Sequence, residues 1–189
     1  QAISAMPPRA TVFVNAASGP DGQPPLAERL AELFAAHGWQ PNGDVRVLPV
    51  HGGCDLVEMA RQAVAEGYPT LVAAGDDGTV NAVANTVAAT EANLGVLPLG
   101  TLNHFAKDVG IPLDLEQAVQ TIVAGHVQAV DVGEVNGRLF VNNSSVGLYP
   151  TIVHRRDAHQ RLGKGKWSSF LRAMLTVLGR YPLVRVAIR

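Results

Sequence analysis

The sequence predicts an α/β fold in which a parallel sheet lies between layers of helices. Two observations lead to this fold class. Short strand-like runs alternate along residues 10–125 with longer segments whose apolar residues recur at helical spacing. Apolar residues make up 47% of the chain and aromatic residues only 5%, so the core must consist mainly of Val, Leu, Ile and Ala. That composition suits a buried parallel sheet covered by alanine-rich helices.

Four short apolar runs predict the strands of this sheet. They are Thr11–Asn15, Val45–Val50, Thr70–Ala74 and Leu94–Leu97. A helix-length segment separates each run from the next, which is the spacing that parallel neighbours need for their crossover connections.

Four segments with apolar residues three and four positions apart predict the helices. They are Pro25–His37, Leu56–Glu66, Val80–Thr90 and Leu115–Ala124. Glycine follows three of them, at Gly38, Gly67 and Gly125. Glycine commonly ends helices because it adopts the left-handed backbone conformation without a steric penalty.

The pattern changes near residue 126, which predicts two domains, 9–125 and 126–189. Val127–Glu134 and Arg138–Val146 are strand-like and are separated by Val135-Asn136-Gly137, so they predict a hairpin. An amphipathic helix at Trp167–Leu178 and a strand at Val184–Ile188 follow. These elements are too few for a self-sufficient domain, so we expect the second domain to be incomplete.

The charges are divided unequally along the chain. Residues 1–150 have a formal charge of −9 and residues 151–189 a formal charge of +8. The basic side chains are densest in the segment 154–166, which is either a solvated loop or a surface that attracts anions such as lipid headgroups. The segment has no interleaved aromatic residues, so a nucleic-acid partner is not expected.

Two features that the sequence lacks, a long apolar run and a second cysteine, exclude further classes of protein. No run of about 18 apolar residues occurs, so no membrane span is predicted. The single cysteine, Cys54, excludes a disulfide within the chain and a multi-cysteine metal site. The single cysteine fits a reducing compartment, which favours a cytoplasmic location.

Glycines and small polar residues follow three of the four predicted strands. These loops are Asn15–Gly19, Gly75–Asn81 and Pro98–Asn103. The carboxyl ends of parallel strands line the ligand crevice of open α/β sheets, and helix N-termini there offer free N–H groups to phosphate. One such loop could be only a tight turn, with Thr79 capping the next helix. Three loops on one edge favour a phosphate site.

The type of phosphate site is limited by what the sequence lacks. Neither a Walker motif nor a G-x-G-x-x-G motif is present, and Lys107 is the only lysine before residue 164. We therefore expect a site built from backbone N–H groups and hydroxyls.

Gly75–Asn81 resembles the G-G-D-G-T-x-N loop of the diacylglycerol kinase catalytic family, which includes bacterial lipid kinases and the sphingosine and ceramide kinases. Asn15–Gly19 resembles the family's N-P-x-S-G loop, and Gly100–Lys107 its G-T-x-N-D/H-F-A-R/K segment. Order and spacing agree over essentially all of residues 10–189. The resemblance implies a Rossmann-like, three-layer ATP-binding domain, related to that of NAD kinases, followed by the start of a mainly β, lipid-binding domain.

The resemblance also implies a function. It is that of an ATP-dependent lipid kinase, which transfers the γ-phosphate of ATP to a hydroxyl of diacylglycerol or a related lipid, with Mg²⁺ as the metal. The lipid would be met at a membrane surface through the basic segment 154–166. A homodimer is left open. The family's general base is expected in the second domain, beyond residue 189.

The resemblance assigns roles to individual residues. Asp77 is expected to be catalytic, by orienting the acceptor hydroxyl or helping to hold Mg²⁺; the alternative is a helix-capping carboxylate. Asp131, in a D-x-G sequence, is the candidate metal ligand; the alternative is a solvated acid at a strand end. ATP contacts are expected from Asn15, Ser18, Gly19, Gly75, Asp76, Gly78, Thr79, Asn81, Gly100, Thr101 and Asn103.

Departures from the family pattern lead to alternatives to an active lipid kinase. Asp76 stands where the family keeps its second glycine, Ala82 where a Glu often follows, and Ala16 where Pro is frequent. Asp76 would have to adopt any left-handed conformation that the glycine holds, and it adds a negative charge beside a bound triphosphate. A nucleotide- or lipid-binding protein with weakened or lost catalysis is therefore one alternative. An NAD kinase-like enzyme is another, although the first and third loops argue against it.

Overall fold

The computed structural model describes residues 10–15, 25–51 and 53–142. Ser18, Gly19, the basic segment 154–166 and the elements predicted after residue 142 lie outside the described residues.

The four predicted strands form one parallel sheet. They are β1 (Ala10–Asn15), β2 (Val45–Val50), β3 (Thr70–Gly75) and β4 (Asn93–Pro98), in the order β2-β1-β3-β4. Val12 of β1 lies opposite Val47 of β2 and Val72 of β3, so β1 is paired on both edges. The apolar runs are explained by this position, because side chains on both faces of an inner strand are buried.

Helices cover both faces of the sheet. Within the described residues they are α1 (Leu26–Ala36), α2 (Gly53–Ala65), α3 (Asp77–Val87), α4 (His104–Asp108) and α5 (Leu115–Ala124). Phe13 faces a core that includes residues of α2 and α3, whereas its neighbour Val12 faces a core that includes residues of α1 and α5. The predicted three-layer α/β fold is therefore confirmed for this part of the chain. None of the described helices is both long and apolar enough to cross a membrane.

Two helices begin earlier than the apolar spacing predicts, and one helix was not predicted. α2 begins at Gly53 instead of Leu56, and α3 at Asp77 instead of Val80. Glycine and polar residues, such as Asp55 in α2 and Asp77 in α3, occupy these first turns, so apolar spacing does not report where the helices start. The five-residue helix α4 is too short to show a helical period.

The predicted strand Val127–Glu134 is wrong over most of its length. Only Gly133–Val135 (β5) is a strand, paired antiparallel with Arg138–Phe140 (β6) through a turn at Asn136-Gly137. Both turn residues have positive φ, 52° and 75°, as the predicted tight hairpin requires. Val127 is 68% exposed and pairs with no described strand. β-branched residues favour a strand only where a partner strand and a buried face exist.

Candidate active site

The carboxyl ends of all four parallel strands lie at one edge of the sheet, and the glycine loop Gly75–Thr79 lies among them. This loop leaves β3 and enters α3 directly. Two clefts flank it. The first cleft has a volume of about 360 Å³, and the second a volume of about 390 Å³. Both are of the size that a small-molecule group needs.

The first cleft has an apolar floor and a polar rim. Phe13, Val50 and Leu56 contribute apolar lining, and Asn15 and Thr79 contribute polar groups. The full lining is Phe13, Asn15, Val50, His51, Gly53, Leu56, Asp76, Gly78, Thr79 and Ala82. The structure thus brings four of the predicted ATP-contacting residues, Asn15, Asp76, Gly78 and Thr79, to one cavity.

The second cleft lies between two loops. Asp76, Asp77 and Gly78 form one wall, and Leu99–Leu102 form the other. Gly100 and Thr101, both predicted to contact ATP, belong to the second wall. Thr101 is exposed, so its hydroxyl is accessible from solvent.

Asp76 is the N-cap of α3, which corrects two expectations. Its backbone is extended, with φ −84° and ψ 178°, so it does not adopt the left-handed conformation expected of a glycine replacement. One of its carboxylate oxygens, Oδ1, accepts hydrogen bonds from the Thr79 backbone N–H and the Thr79 hydroxyl, each at 3.0 Å. The cap is therefore Asp76 and not Thr79, because an N-cap needs an extended backbone and a short acceptor side chain.

Two glycines allow the loops to pack tightly. A Cβ on Gly75 would lie 2.5 Å from the Thr79 hydroxyl oxygen, and one on Gly100 would lie 2.7 Å from the Asp76 Cα. The backbone N–H of Leu99 donates to the Gly75 carbonyl at 3.0 Å. Contact with Thr79 of its own loop is thus a reason for Gly75, and contact between the two loops is a reason for Gly100; both reasons hold without any ligand.

Asn103 closes its own loop. Its backbone is left-handed, with φ 49°, and its side-chain oxygen accepts from the Gly100 N–H at 2.9 Å while its amide donates to the Gly100 carbonyl at 2.8 Å. The side chain therefore shapes the loop that carries Thr101.

Asp77 joins two helices. Although it is the first residue of α3, its carboxylate accepts from the backbone N–H groups of His104 and Phe105 of α4, each at 3.1 Å. Partial burial raises the pKa of Asp77. The hydrogen bonds from Phe105, His104 and the Asn142 side chain, together with the nearby His104 imidazole, outweigh that effect and hold the pKa below its ordinary value. Asp77 is therefore an ionised, hydrogen-bonded carboxylate at neutral pH.

Asp131 is exposed on the segment before β5. Among the residues that the structure describes, no three His, Cys, Asp or Glu side chains lie close enough together to hold a metal ion. Nothing in the described part gathers further metal ligands around Asp131.

An arginine groove of about 360 Å³ was not predicted from the sequence. It is lined by Val57, Arg61, Asn81, Ala82, Asn85, Thr86, Arg138 and Leu139, and it contains two basic side chains and no acidic one. Asn85 accepts from the Leu139 N–H and donates to the Leu139 carbonyl, both at 2.9 Å, so it holds β6 and Arg138 against α3. Ala82 lines both the groove and the first cleft.

The sequence contains no signal for the arginine groove, but it does contain one for the residues at the end of β2. Arg61 and Arg138 come from separate elements, and no local motif links them. His51 and Gly53 also line the first cleft, and here a signal existed: His51-Gly52-Gly53 follows a predicted strand just as the other glycine loops do.

Comparison with known proteins agrees with this arrangement. The model of the diacylglycerol kinase catalytic domain family matches residues 9–135. The chain is similar to a diacylglycerol kinase from Staphylococcus aureus, with 42% identity over 120 residues, covering 62% of this chain and 38% of that protein. A diacylglycerol kinase from Staphylococcus saprophyticus is 37% identical over 120 residues, covering 62% of this chain and 39% of that one.

The fold is similar as well. The crystal structure of a diacylglycerol kinase from Bacillus anthracis superimposes with a TM-score of 0.58 and 28% sequence identity, covering 70% of this chain and 49% of that one. The match spans less than half of the length of each of these relatives. Since the family model covers well over half of the sequence, the chain belongs to the diacylglycerol kinase catalytic domain family.

Proposed function

We propose that this chain carries the nucleotide-binding part of an ATP-dependent lipid kinase, which transfers the γ-phosphate of ATP to a hydroxyl of diacylglycerol or a related lipid. The observation that carries the proposal is the pair of clefts on either side of the glycine loop at the start of α3. Glycine loops at helix N-termini bind phosphate through backbone N–H groups. The names of the relatives support the class of acceptor.

ATP lies across the three strand-end loops in this proposal. The apolar floor of the first cleft suits a flat, weakly polar base, and the N-terminus of α3 suits the phosphates. The arginine groove, which adjoins the first cleft at Ala82, adds two arginines, Arg61 and Arg138, beside it. Phosphoryl transfer depends mainly on positioning and on neutralising phosphate charge, and this arrangement provides both.

The donor groups present also fit Mg²⁺. Proteins commonly hold this ion through one or two carboxylates together with substrate phosphates and water. Asp76 lines both clefts, and its oxygen Oδ2 accepts no hydrogen bond from a described residue. Asp76 would hold the ion, which when bound offsets phosphate charge. Asp131 is a candidate Mg²⁺ ligand only together with further ligands from residues outside the described part.

The remaining parts of the proposal concern the chain after residue 125. Residues 126–189 begin the lipid-binding domain, and the basic segment 154–166 adsorbs the protein to anionic membranes from the cytoplasmic side. Each Lys or Arg near such a surface contributes about 1 kcal/mol. Replacing Arg155, Arg156, Arg161, Lys164 and Lys166 with Gln should abolish salt-sensitive co-sedimentation with anionic vesicles and leave ATP binding intact. Equal sedimentation of the variant and the parent would contradict this role.

Transfer of radiolabelled phosphate from ATP to mixed lipids in micelles tests the kinase directly. The full-length protein should label a lipid, and Gly78→Val should weaken ATP binding and labelling together, because Gly78 lines both clefts and a side chain there would press against the Asp76 carboxylate. Thr79→Ala should weaken ATP binding too, by removing a hydroxyl from the first cleft. Unchanged nucleotide affinity in both folded variants would contradict the assignment of this loop.

A second candidate is a nucleotide-binding protein without turnover. The Asp76 carboxylate favours it, because it already occupies the Thr79 N–H that would otherwise be free for phosphate. ATP binding without lipid labelling by the intact protein would select this candidate.

A further inference from the structure

The N-terminus of α4 is capped from another helix. The first two backbone N–H groups of α4, those of His104 and Phe105, both donate to the Asp77 carboxylate. Such groups have no partner within their own helix and need an outside acceptor when they are not solvated. Asp77 provides that acceptor from the first turn of α3.

The residue that normally provides a cap is engaged elsewhere. Asn103 occupies the N-cap position of α4, but its side chain makes no capping bond and instead hydrogen-bonds to Gly100. The start of α4 therefore depends on Asp77. The rest of the helix is anchored separately, since Phe105 and Ala106 are buried in the core beside Val80 and Val83 of α3.

Asp77 is the third of three ties between the walls of the second cleft. The first is the backbone hydrogen bond from Leu99 to Gly75, and the second is the close approach of Gly100 to the Asp76 backbone. These two ties hold the walls where they leave the sheet. Among the described residues, Asp77 alone joins them at the far side, where the second wall turns into α4.

We infer that Asp77 is a positioning residue, which sets the spacing of the two walls of the second cleft through α4 and does not itself take the proton of the acceptor hydroxyl. Both of its oxygens already accept N–H groups, and the Asn142 side chain also donates to it. These three donors leave about one of the four lone-pair positions of the carboxylate for a substrate hydroxyl, and its lowered pKa makes it a weak proton acceptor. The inference rests on the proposed function only in taking the second cleft as part of the phosphate site.

Hydrogen exchange of two amides tests the tie itself, without any substrate. In the full-length protein, Asp77→Ala should lower the protection of the His104 and Phe105 amides about tenfold or more, since a lost hydrogen bond to a charged group is worth at least that factor. Asp108→Asn, an exposed acid on the same helix, is the matched control and should leave both amides unchanged. Unchanged protection in Asp77→Ala would overturn the inference.

Kinetics separate positioning from proton transfer. Asp77→Asn keeps the shape of the side chain and one acceptor oxygen, so it should partly rescue what Asp77→Ala loses. We expect the Kd for ATP to rise about threefold in Asp77→Asn and about tenfold in Asp77→Ala, with comparable falls in kcat. Loss of a general base would instead lower kcat by about 100-fold or more in both variants and leave ATP affinity unchanged.

A large fall in kcat with unchanged ATP affinity would overturn the inference and leave the lipid kinase proposal in place. Conversely, a parent protein that neither binds ATP nor labels lipid would contradict the proposed function, and the amide exchange would still decide the role of Asp77. If Asp77→Ala does not fold, the same amides in Asp77→Asn decide it, because the amide group can accept only one of the two N–H bonds.

Discussion

Two helix N-termini lie at the same edge of the sheet, and they are capped in different ways. α3 is capped by Asp76, the residue immediately before it, and α4 is capped by Asp77, which comes from α3. Two consecutive aspartates thus have separate tasks. Adjacent acids in this glycine loop have different structural roles: Asp76 caps its own helix, and Asp77 joins two loops.

The contact between the loops should be the most sensitive feature. Gly100→Val would place a Cβ 2.7 Å from the Asp76 Cα and 2.8 Å from the Asn103 side-chain oxygen, so the two walls must separate. We expect the free energy of unfolding to fall by about 3 kcal/mol, as for other overpacked sites. Urea denaturation measures it. Gly53→Ala is the control, because its Cβ would meet nothing within 4 Å; equal losses in the two variants would refute the close contact.

The two caps should differ in strength. Asp77→Ala removes the hydrogen bonds that two backbone N–H groups and the Asn142 side chain donate to a carboxylate, and it should lower the free energy of unfolding by about 2 kcal/mol. Asp76→Ala removes an ordinary N-cap, worth about 1 kcal/mol. Asp114→Ala calibrates the scale, because Asp114 caps α5 in the same local way, through the Gln117 N–H at 3.0 Å. A larger loss of unfolding free energy in Asp76→Ala than in Asp77→Ala would contradict the expectation that the Asp77 cap is the stronger one.

Restoring the family's glycine tests whether Asp76 hinders the nucleotide. Without Mg²⁺, Asp76→Gly should tighten ATP binding about fivefold, because it frees the Thr79 N–H and removes a negative charge beside the phosphates. Stability should change by only a few tenths of a kcal/mol, since glycine is itself a tolerated N-cap. Isothermal titration with and without Mg²⁺ measures the affinity. With Mg²⁺ present, the variant should bind ATP no more tightly than the parent, because Asp76 is proposed to hold the ion. Equal affinity of the two proteins without Mg²⁺ would contradict a hindering role of Asp76.

Acid should remove the contribution of Asp77 to stability. Its pKa is lowered in the folded state, so the unfolded chain binds more protons and the stabilisation is present above the unfolded pKa of about 3.9. It is lost as the pH falls through the folded pKa. The difference in urea midpoint between the parent and Asp77→Asn should therefore be constant near neutral pH and shrink below about pH 4. A difference that grows with acidity would contradict the lowered pKa.

Local patterns in the sequence were sufficient to predict the layers of the fold. The strands and most helix ends follow from apolar runs, helical spacing and glycines such as Gly125, because these signals act over a few residues. The Asn136-Gly137 turn was visible for the same reason. The strand predicted at Val127–Glu134 was wrong over most of its length, since the β-branched residues there lack a partner strand among the described residues.

The site was partly predictable. The three glycine loops and their likeness to a known family predicted the edge of the sheet, four residues that line the first cleft and two residues of the second wall, and the family model confirms the likeness. The sequence by itself thus determined the sheet, its helical layers and the edge that carries the loops. Only the tertiary structure decided that Asp76 caps α3, that Asp77 caps α4, and that Arg61 and Arg138 share a groove. The physical reason is distance along the chain: a hydrogen bond between residues 77 and 104, or a groove built from α2, α3 and β6, leaves no periodic or local trace in the sequence, because it exists only when separate elements pack together.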